Sequence, residues 1–191
     1  NIARPDISII TGIGEGHLEF LGSVENVARA KSEIFDGMIP GSTVFINAES
    51  SHADIAIEKA RASGMVVMTY AIEGDADIVA EGFSLRKNEI EIRFSNQLYR
   101  APLYGIHNVS NLFVALVVAL RLGVSPEKAK EALERFSPVD KRSEIIECGF
   151  TVINDTYNSN PPSAKSARRS SAARRRMSRK KTSSLGCAAW C

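Results

Sequence analysis

The stretch from Ile7 to Phe35 constrains the fold of this chain more than any other. It opens with a short apolar run, Ile7 to Ile10, typical of a strand that is covered on both faces. A glycine-rich turn ends at His17, and an amphipathic segment follows that predicts a helix with Ser23 as its N-cap. A buried strand that passes through a glycine-rich turn into a helix is typical of an α/β fold.

Lys31 is the unusual residue of that predicted helix. Helical spacing places it in the inward stripe, which otherwise contains Val24, Val27, Ala28, Ile34 and Phe35. Burying an unpaired ammonium group is costly, so the side chain either extends to keep its charge in water or meets a polar partner. In the second interpretation, Lys31 and His17 face a shared polar site at the carboxyl end of the first strand, where ligands bind in open α/β sheets. The residues alone leave both interpretations open.

The next segments alternate between strand and helix patterns. Ser42 to Asn47 and Met65 to Tyr70 are predicted strands on either side of a helix from Ala53 to Ser63, which indicates a βαβ unit and a parallel sheet. Period-two alternation then predicts a small antiparallel sheet of three strands. These strands are Asp77 to Phe83, Glu89 to Phe94 and Gln97 to Leu103, with turns at Asn88 and Asn96-Gln97.

The remainder of the chain has a helical part and a basic end. A long apolar helix is predicted from Gly105 to about Leu122, and a second helix, capped by Ser125, to about Phe136. The segment from 137 to 140 is the candidate domain boundary, and a strand at Thr151 to Asn154 follows it. After Asp155 the chain contains nine basic and no acidic residues, so the formal charge of +2 conceals an acidic body and a basic tail.

Composition excludes some classes of protein. No apolar run is long enough to cross a bilayer, and no signal peptide is recognisable. The three cysteines have neither metal-ligand spacing nor the density of a disulfide framework, which favours a reducing cytoplasm. Because the first residue is not methionine and a strand follows almost at once, we expect that the natural N-terminus is missing.

Three stretches carry polar groups at the end of a strand or the start of a helix, where phosphates and metals bind. They are 11–35, 105–111, and Arg142 together with 154–160. Their patterns are Thr-x-Ile-Gly-x-x-His-Leu-Glu, Ala-x-Ala-Lys-x-Glu-Ile-Phe, Gly-x-His-Asn-x-x-Asn and Asn-Asp-Thr-Tyr-Asn-x-Asn-Pro. Taken together, from about residue 2 to residue 167, they resemble the Mur ligases, the ATP-dependent amide-forming enzymes of peptidoglycan synthesis, and in particular the MurF branch.

The resemblance implies a fold and a domain organisation. Residues 1–137 would form a central ATPase domain with a parallel sheet, helices and a small antiparallel sheet. Residues 138–167 would begin a Rossmann-like C-terminal domain, and 168–191 would be a disordered or non-native tail, for example the product of a frameshift. No Gly-x-x-x-x-Gly-Lys-[Ser/Thr] loop occurs in the sequence, although the family binds ATP phosphates with one. We therefore expect that loop upstream, and we expect the 191 residues alone to be inactive.

The resemblance also implies residue roles. Lys31 matches a lysine that the family carbamylates, and with His17 it would bind Mg²⁺. Asn108 and Asn111 match residues that contact ATP. The remaining roles fall on Arg142, which would reach the ATP phosphates, on Asp155, which would hold the ribose, and on Tyr157 and Asn158, which would lie near the acceptor substrate.

The implied reaction is the addition of D-alanyl-D-alanine to UDP-N-acetylmuramoyl-tripeptide through an acyl phosphate, in the bacterial cytoplasm. We expect no membrane partner and no nucleic-acid partner. The sequence does not determine the oligomeric state, for which a monomer is our expectation. Two alternatives stay open. The chain could be another ligase of the superfamily, such as the diaminopimelate- or lysine-adding ligase or folylpolyglutamate synthase. It could instead be a non-catalytic protein whose basic tail, 168–191, binds nucleic acid.

Overall fold

A computed structural model describes residues 4–16, 18–86, 89–103, 105–137, 144–147 and 151–154. Its centre is a parallel sheet of four strands in the order β1-β2-β3-β4. The strands are β1 (Ile7–Ile10), β2 (Thr43–Asn47), β3 (Val66–Ala71) and β4 (Ile78–Val79). The predicted βαβ unit and parallel sheet are therefore confirmed, with Ile7 opposite Thr43 and Thr43 opposite Val66 in the ladder.

Helices cover one face of this sheet. The single-turn helix α1 (Leu18–Leu21) leads into α2 (Val24–Ser32), and α3 (Ala53–Ala62) follows β2. The Ser23 hydroxyl accepts a hydrogen bond from the Asn26 amide at 3.1 Å, so the predicted N-cap is confirmed. The core between these helices and the sheet is apolar, and it includes Ile10, Val27, Phe35, Val44, Ile46 and Met65.

The opposite face of the sheet packs against a long helix and an antiparallel sheet. The helix is α4 (His107–Arg121), and the sheet has the strands β5 (Gly82–Arg86), β6 (Glu89–Phe94) and β7 (Gln97–Ala101). Phe113 of α4 lies in the middle of this second core, where its ring makes edge-to-face contacts with Tyr70 and Phe94 at centroid distances of 6.5 and 5.2 Å. This α/β arrangement, a parallel sheet with helices and a small antiparallel sheet, confirms the predicted fold class.

One predicted strand was wrong. The run from Asp77 to Phe83 is divided, because Ile78–Val79 joins the parallel sheet whereas Gly82–Arg86 begins the antiparallel one. The Asp77 carboxylate accepts hydrogen bonds from the amide and the hydroxyl of Thr69, both at 2.7 Å, and these bonds hold the start of β4 beside β3. Period-two alternation cannot reveal such a change of sheet, since both parts have the same pattern.

The hairpin turn between β6 and β7 also lies one residue earlier than predicted. Ser95 and Asn96 have φ values of 51° and 57°, as a two-residue type I′ turn requires, and Gln97 already belongs to β7. The other predicted turn, at Asn88, lies outside the described residues.

The last elements are α5 (Pro126–Glu134), β8 (Glu144–Glu147) and β9 (Thr151–Asn154). Ser125 caps α5 by accepting a hydrogen bond from the Lys128 amide at 3.3 Å, as predicted. The strands β8 and β9 form an antiparallel pair, although most of the predicted second domain and the basic tail lie outside the described residues. None of the helices described in the structure has the length and apolar character that a membrane span requires.

Candidate functional site

Polar groups lie close together at the carboxyl end of the parallel sheet, and the Asn47 side chain connects them by hydrogen bonds. Asn47 is the last residue of β2, and it is buried. Its Nδ2 donates to the Thr11 carbonyl and to the Ser110 hydroxyl, both at 3.1 Å, while its Oδ1 accepts from the Glu49 amide at 3.0 Å. One amide group therefore connects the end of β1, the end of β2 and the first turns of α4.

The loop after β1 has a second attachment. The Ser50 hydroxyl accepts a hydrogen bond from the Ile13 amide at 3.3 Å. Among the described residues, a side chain placed on Gly14 would meet no atom within 4 Å, and one on Gly12 would only approach the Ser50 hydroxyl, at 4.0 Å. The loop is therefore held at Thr11 and Ile13 but is open beside Gly14, where a ligand could approach the backbone closely.

The start of α4 presents two asparagines beside this loop. Asn108 is half-buried and Asn111 is exposed, and the Asn108 amide donates to the Gly105 carbonyl at 3.0 Å. Gly105 has φ +95°, and a Cβ on it would lie 2.7 Å from Cε1 of His107. The His107 ring therefore occupies the space that a side chain at position 105 would need, which explains why glycine stands there.

Tyr70 and Ser110 are site residues that the sequence did not reveal. Burial of the Tyr70 phenol raises its pKa to about 12, and the neighbouring Ser110 side chain opposes part of that rise. The phenol is thus neutral at physiological pH. The available signal was a polar residue at the end of an apolar strand, as at Asn47, but sequence alone does not reveal which side chains such a residue meets.

The inward placement of Lys31 and Ile34 was wrong, whereas the interpretation in which the Lys31 side chain keeps its charge in water agrees with the structure. Lys31 is exposed, as is Ile34, whereas α2 buries Val27, Ala28 and Ser32. The α-helix ends at Ser32 and tightens into a 3₁₀ turn, Glu33–Gly37, so α-helical spacing no longer applies to Ile34, while Phe35 is buried as predicted. Ser32 is buried, and its hydroxyl donates a hydrogen bond to the Ala28 carbonyl at 2.7 Å.

Because Lys31 is exposed, its burial can no longer be used as an argument that it is carbamylated. Exposure does not test the role of Lys31 as a metal-binding carbamate. The partner in that role, His17, lies outside the described residues, as do Arg142, Asp155, Tyr157 and Asn158. Within the described ranges, no three His, Cys, Asp or Glu side chains form a group that could hold a metal. These residues therefore do not build a magnesium site by themselves.

Comparison with known proteins agrees with this arrangement. Residues 1–119 match the family described as the Mur ligase middle domain. The chain is 30% identical to the UDP-N-acetylmuramoyl-tripeptide–D-alanyl-D-alanine ligase of Bacillus subtilis and 31% identical to the ligase of that name from Buchnera aphidicola. Each alignment covers 87% of this chain, but only 36% and 38% of the respective relatives.

The fold comparison gives the same result. A crystal structure of MurF from Acinetobacter baumannii superposes with a TM-score of 0.76 at 30% identity, covering 86% of this chain and 36% of that one. The chain thus spans little more than a third of the length of the relatives it matches. Fold and sequence similarity agree: the chain belongs to the Mur ligase family, residues 1–119 match the middle domain of that family, and the chain is of the MurF type.

Proposed function

We propose that the complete polypeptide carrying this sequence is an ATP-dependent ligase that adds D-alanyl-D-alanine to UDP-N-acetylmuramoyl-tripeptide. The observation that carries the proposal is the similarity to two ligases of that name along 87% of this chain. The open loop beside Gly14 and the adjacent amides of α4 supply a surface suited to a nucleotide. Because substrates of this kind are made inside bacterial cells, the proposal includes a cytoplasmic location.

The proposed nucleotide contacts begin at α4. Asn108 and Asn111 are three residues apart, which places both amides on one side of the first turns of the helix. An amide both donates and accepts hydrogen bonds, so Asn111, the more exposed of the two, suits the edge of an adenine base. Arg142 would contact the ATP phosphates and Asp155 the ribose.

The proposed chemistry must overcome repulsion between anions. A peptide carboxylate attacks the γ-phosphate of ATP, ADP leaves, and the amine of D-alanyl-D-alanine then displaces phosphate from the acyl phosphate. Mg²⁺, when bound, would supply positive charge to this centre. We assign His17 and the carbamate of Lys31 as its ligands, Arg142 as a further source of positive charge, and Tyr157 and Asn158 as acceptor-side contacts.

The exposed position of Lys31 suits its assigned modification in one respect. A carbamate forms when the neutral amine attacks carbon dioxide and loses a proton, so the nitrogen must be accessible to solvent while the reaction occurs. Lys31 is exposed at the end of α2, close to the 3₁₀ turn. Its carbamate would replace a cation with an anionic oxygen ligand of the kind that magnesium prefers.

Phosphate release by the complete polypeptide tests the function. We expect release only when ATP, Mg²⁺, UDP-N-acetylmuramoyl-tripeptide and D-alanyl-D-alanine are all present, and none from the 191-residue chain alone. Activity with a UDP-muramoyl-dipeptide and diaminopimelate or lysine instead would identify the alternative ligase. Release of phosphate with folate and glutamate would identify the folylpolyglutamate synthase alternative.

A substitution at position 31 tests the lysine. Lys31→Arg keeps a cation at the site but removes the amine that would react with carbon dioxide, so we expect kcat to fall by about 10²-fold. Lys128→Arg in α5 is the matched control, because Lys128 is also exposed and lies outside the proposed site. Retention of kcat within about threefold by Lys31→Arg would contradict the assigned role.

A further inference from the structure

We propose that Asn47 is a positioning residue that fixes the loop after β1 against the first turns of α4. The inference deepens the proposed function, because it rests on the assignment of these two segments to the metal and the nucleotide. Asn47 itself is assigned no contact with substrate or metal, and its effect would be transmitted through Thr11 and Ser110.

The geometry of the amide carries the inference. Both hydrogens of Nδ2 are used, one on the Thr11 carbonyl and one on the Ser110 hydroxyl, and the Glu49 amide occupies Oδ1. These bonds fix the orientation of the amide, since exchanging its oxygen and nitrogen would leave a donor facing the Glu49 amide. Asn47 is only 8% exposed, so water cannot readily replace the lost partners if the side chain changes.

The two segments that Asn47 joins are distant in sequence. Thr11 precedes it by 36 residues and Ser110 follows it by 63. Thr11 begins the loop that leads to His17, and Ser110 lies between Asn108 and Asn111 in α4. A hydrogen-bonded link through one rigid strand end therefore sets the spacing between a metal-binding segment and a nucleotide-binding segment.

Such a link has a defined kinetic consequence. ADP lacks the γ-phosphate, so its affinity depends chiefly on the nucleotide-binding segment. Turnover, by contrast, requires the metal-binding and nucleotide-binding segments to be held at the correct spacing. Small errors of position at reacting groups lower kcat strongly. Loss of the link should therefore reduce kcat while leaving the affinity for ADP nearly unchanged.

Asn47→Asp is the test variant, because the carboxylate has the same size but donates no hydrogen bond. In the complete polypeptide we expect kcat to fall about tenfold or more, with one ADP bound per chain and a Kd within about threefold of the unsubstituted value. Asn26→Asp is the matched control, since its Nδ2 donates to a backbone carbonyl only, that of Leu21 at 2.8 Å. We expect the control to retain its kcat.

Two outcomes with Asn47→Asp would overturn the inference. One is an Asn47→Asp kcat within about twofold of the unsubstituted value. The other is a folded Asn47→Asp polypeptide whose Kd for ADP rises in step with the loss of kcat, which indicates impaired nucleotide binding rather than mispositioning. If Asn47→Asp does not fold, Ser110→Ala tests the inference instead, because it removes one of the two connections made by Asn47. We expect this variant to lower kcat by about threefold with unchanged ADP binding. An unchanged kcat in Ser110→Ala would contradict the inference.

Amide hydrogen exchange separates this inference from the proposed function. Asn47→Asp should accelerate exchange in both 11–16 and 107–111 but not in β6 and β7, whether or not the polypeptide is a ligase. Absence of phosphate release from the unsubstituted polypeptide would contradict the proposed function but not the link made by Asn47. Unchanged exchange in either segment of Asn47→Asp would contradict the proposed link.

Discussion

Arg100 donates a hydrogen bond from Nε to Oε1 of Glu91 at 2.8 Å, directly across the β6–β7 pair. Arg86 and Ser84 of β5 bind the other carboxylate oxygen at 3.0 and 2.8 Å. Glu91 lies on the side of the antiparallel sheet away from the apolar core, yet these side chains cover it so well that it is only 6% exposed. The three strands are thus joined by a polar row as well as by their backbone ladder.

This row makes stability depend on pH. The hydrogen bond from Arg100, followed by that from Ser84, lowers the pKa of Glu91 from 4.5 to about 2. A lowered pKa contributes stability above the unfolded value of 4.5, and that contribution is lost as the pH falls toward 2. We therefore expect Glu91→Gln to reduce the Tm near neutral pH, and we expect its difference from the unsubstituted protein to shrink between pH 4.5 and 2.

Glu89→Gln on the same strand is the matched control for that experiment. Thermal unfolding followed by circular dichroism across this pH range provides the measurement. A Tm difference for Glu91→Gln that stays constant, or that grows on acidification, would contradict the assignment.

Gly105→Ala should destabilise the protein by more than Gly123→Ala. Both glycines have positive φ, +95° and +86°, so each substitution carries the backbone cost of about 1–2 kcal/mol. At position 105 the new methyl group would also meet the His107 ring at 2.7 Å, whereas at position 123 no atom of the part of the chain that the structure describes lies within 4 Å. Urea denaturation measures both costs, and equal values would show that the His107 ring moves away freely.

Phe113→Ala should destabilise the protein far more than the truncation of an exposed aromatic ring. Phe113 is fully buried between the aromatic rings of Tyr70 and Phe94, and removal of such a side chain costs about 3–5 kcal/mol. Phe20→Ala is the matched control, because Phe20 is 80% exposed and its truncation should cost about 0.5 kcal/mol or less. Denaturant unfolding gives both values, and similar losses at the two positions would contradict the packing described for α4.

Ser23→Ala should weaken the start of α2 by about 1 kcal/mol, because it removes the side-chain acceptor of the Asn26 amide. Ser23→Asp restores an acceptor and should recover most of that stability, since Asp is an equally good N-cap. The comparison is made by chemical denaturation near neutral pH. Equal destabilisation by both substitutions would show that the cap contributes little.

The sequence predicted those features that local chemistry decides. The apolar run before the glycine-rich turn, the Ser23 and Ser125 caps and the alternation of strand and helix patterns were sufficient for the fold class. The motif around Asn108 and Asn111 indicated the segment that now lies beside the β1 loop. Each of these features depends on residues within a few positions of one another, so its signal is present in the linear sequence.

The features that required the tertiary structure depend on contacts between distant residues. Uniform helical spacing assigned Lys31 to a buried stripe, but the packing of α2 buries Val27, Ala28 and Ser32 and leaves Lys31 exposed. The amide of Asn47 meets Thr11 and Ser110 only because β1 and β2 end, and α4 begins, at one edge of the sheet. Periodicity and capping therefore determined the elements of this protein, whereas the packing of segments tens of residues apart decided which side chains form its site.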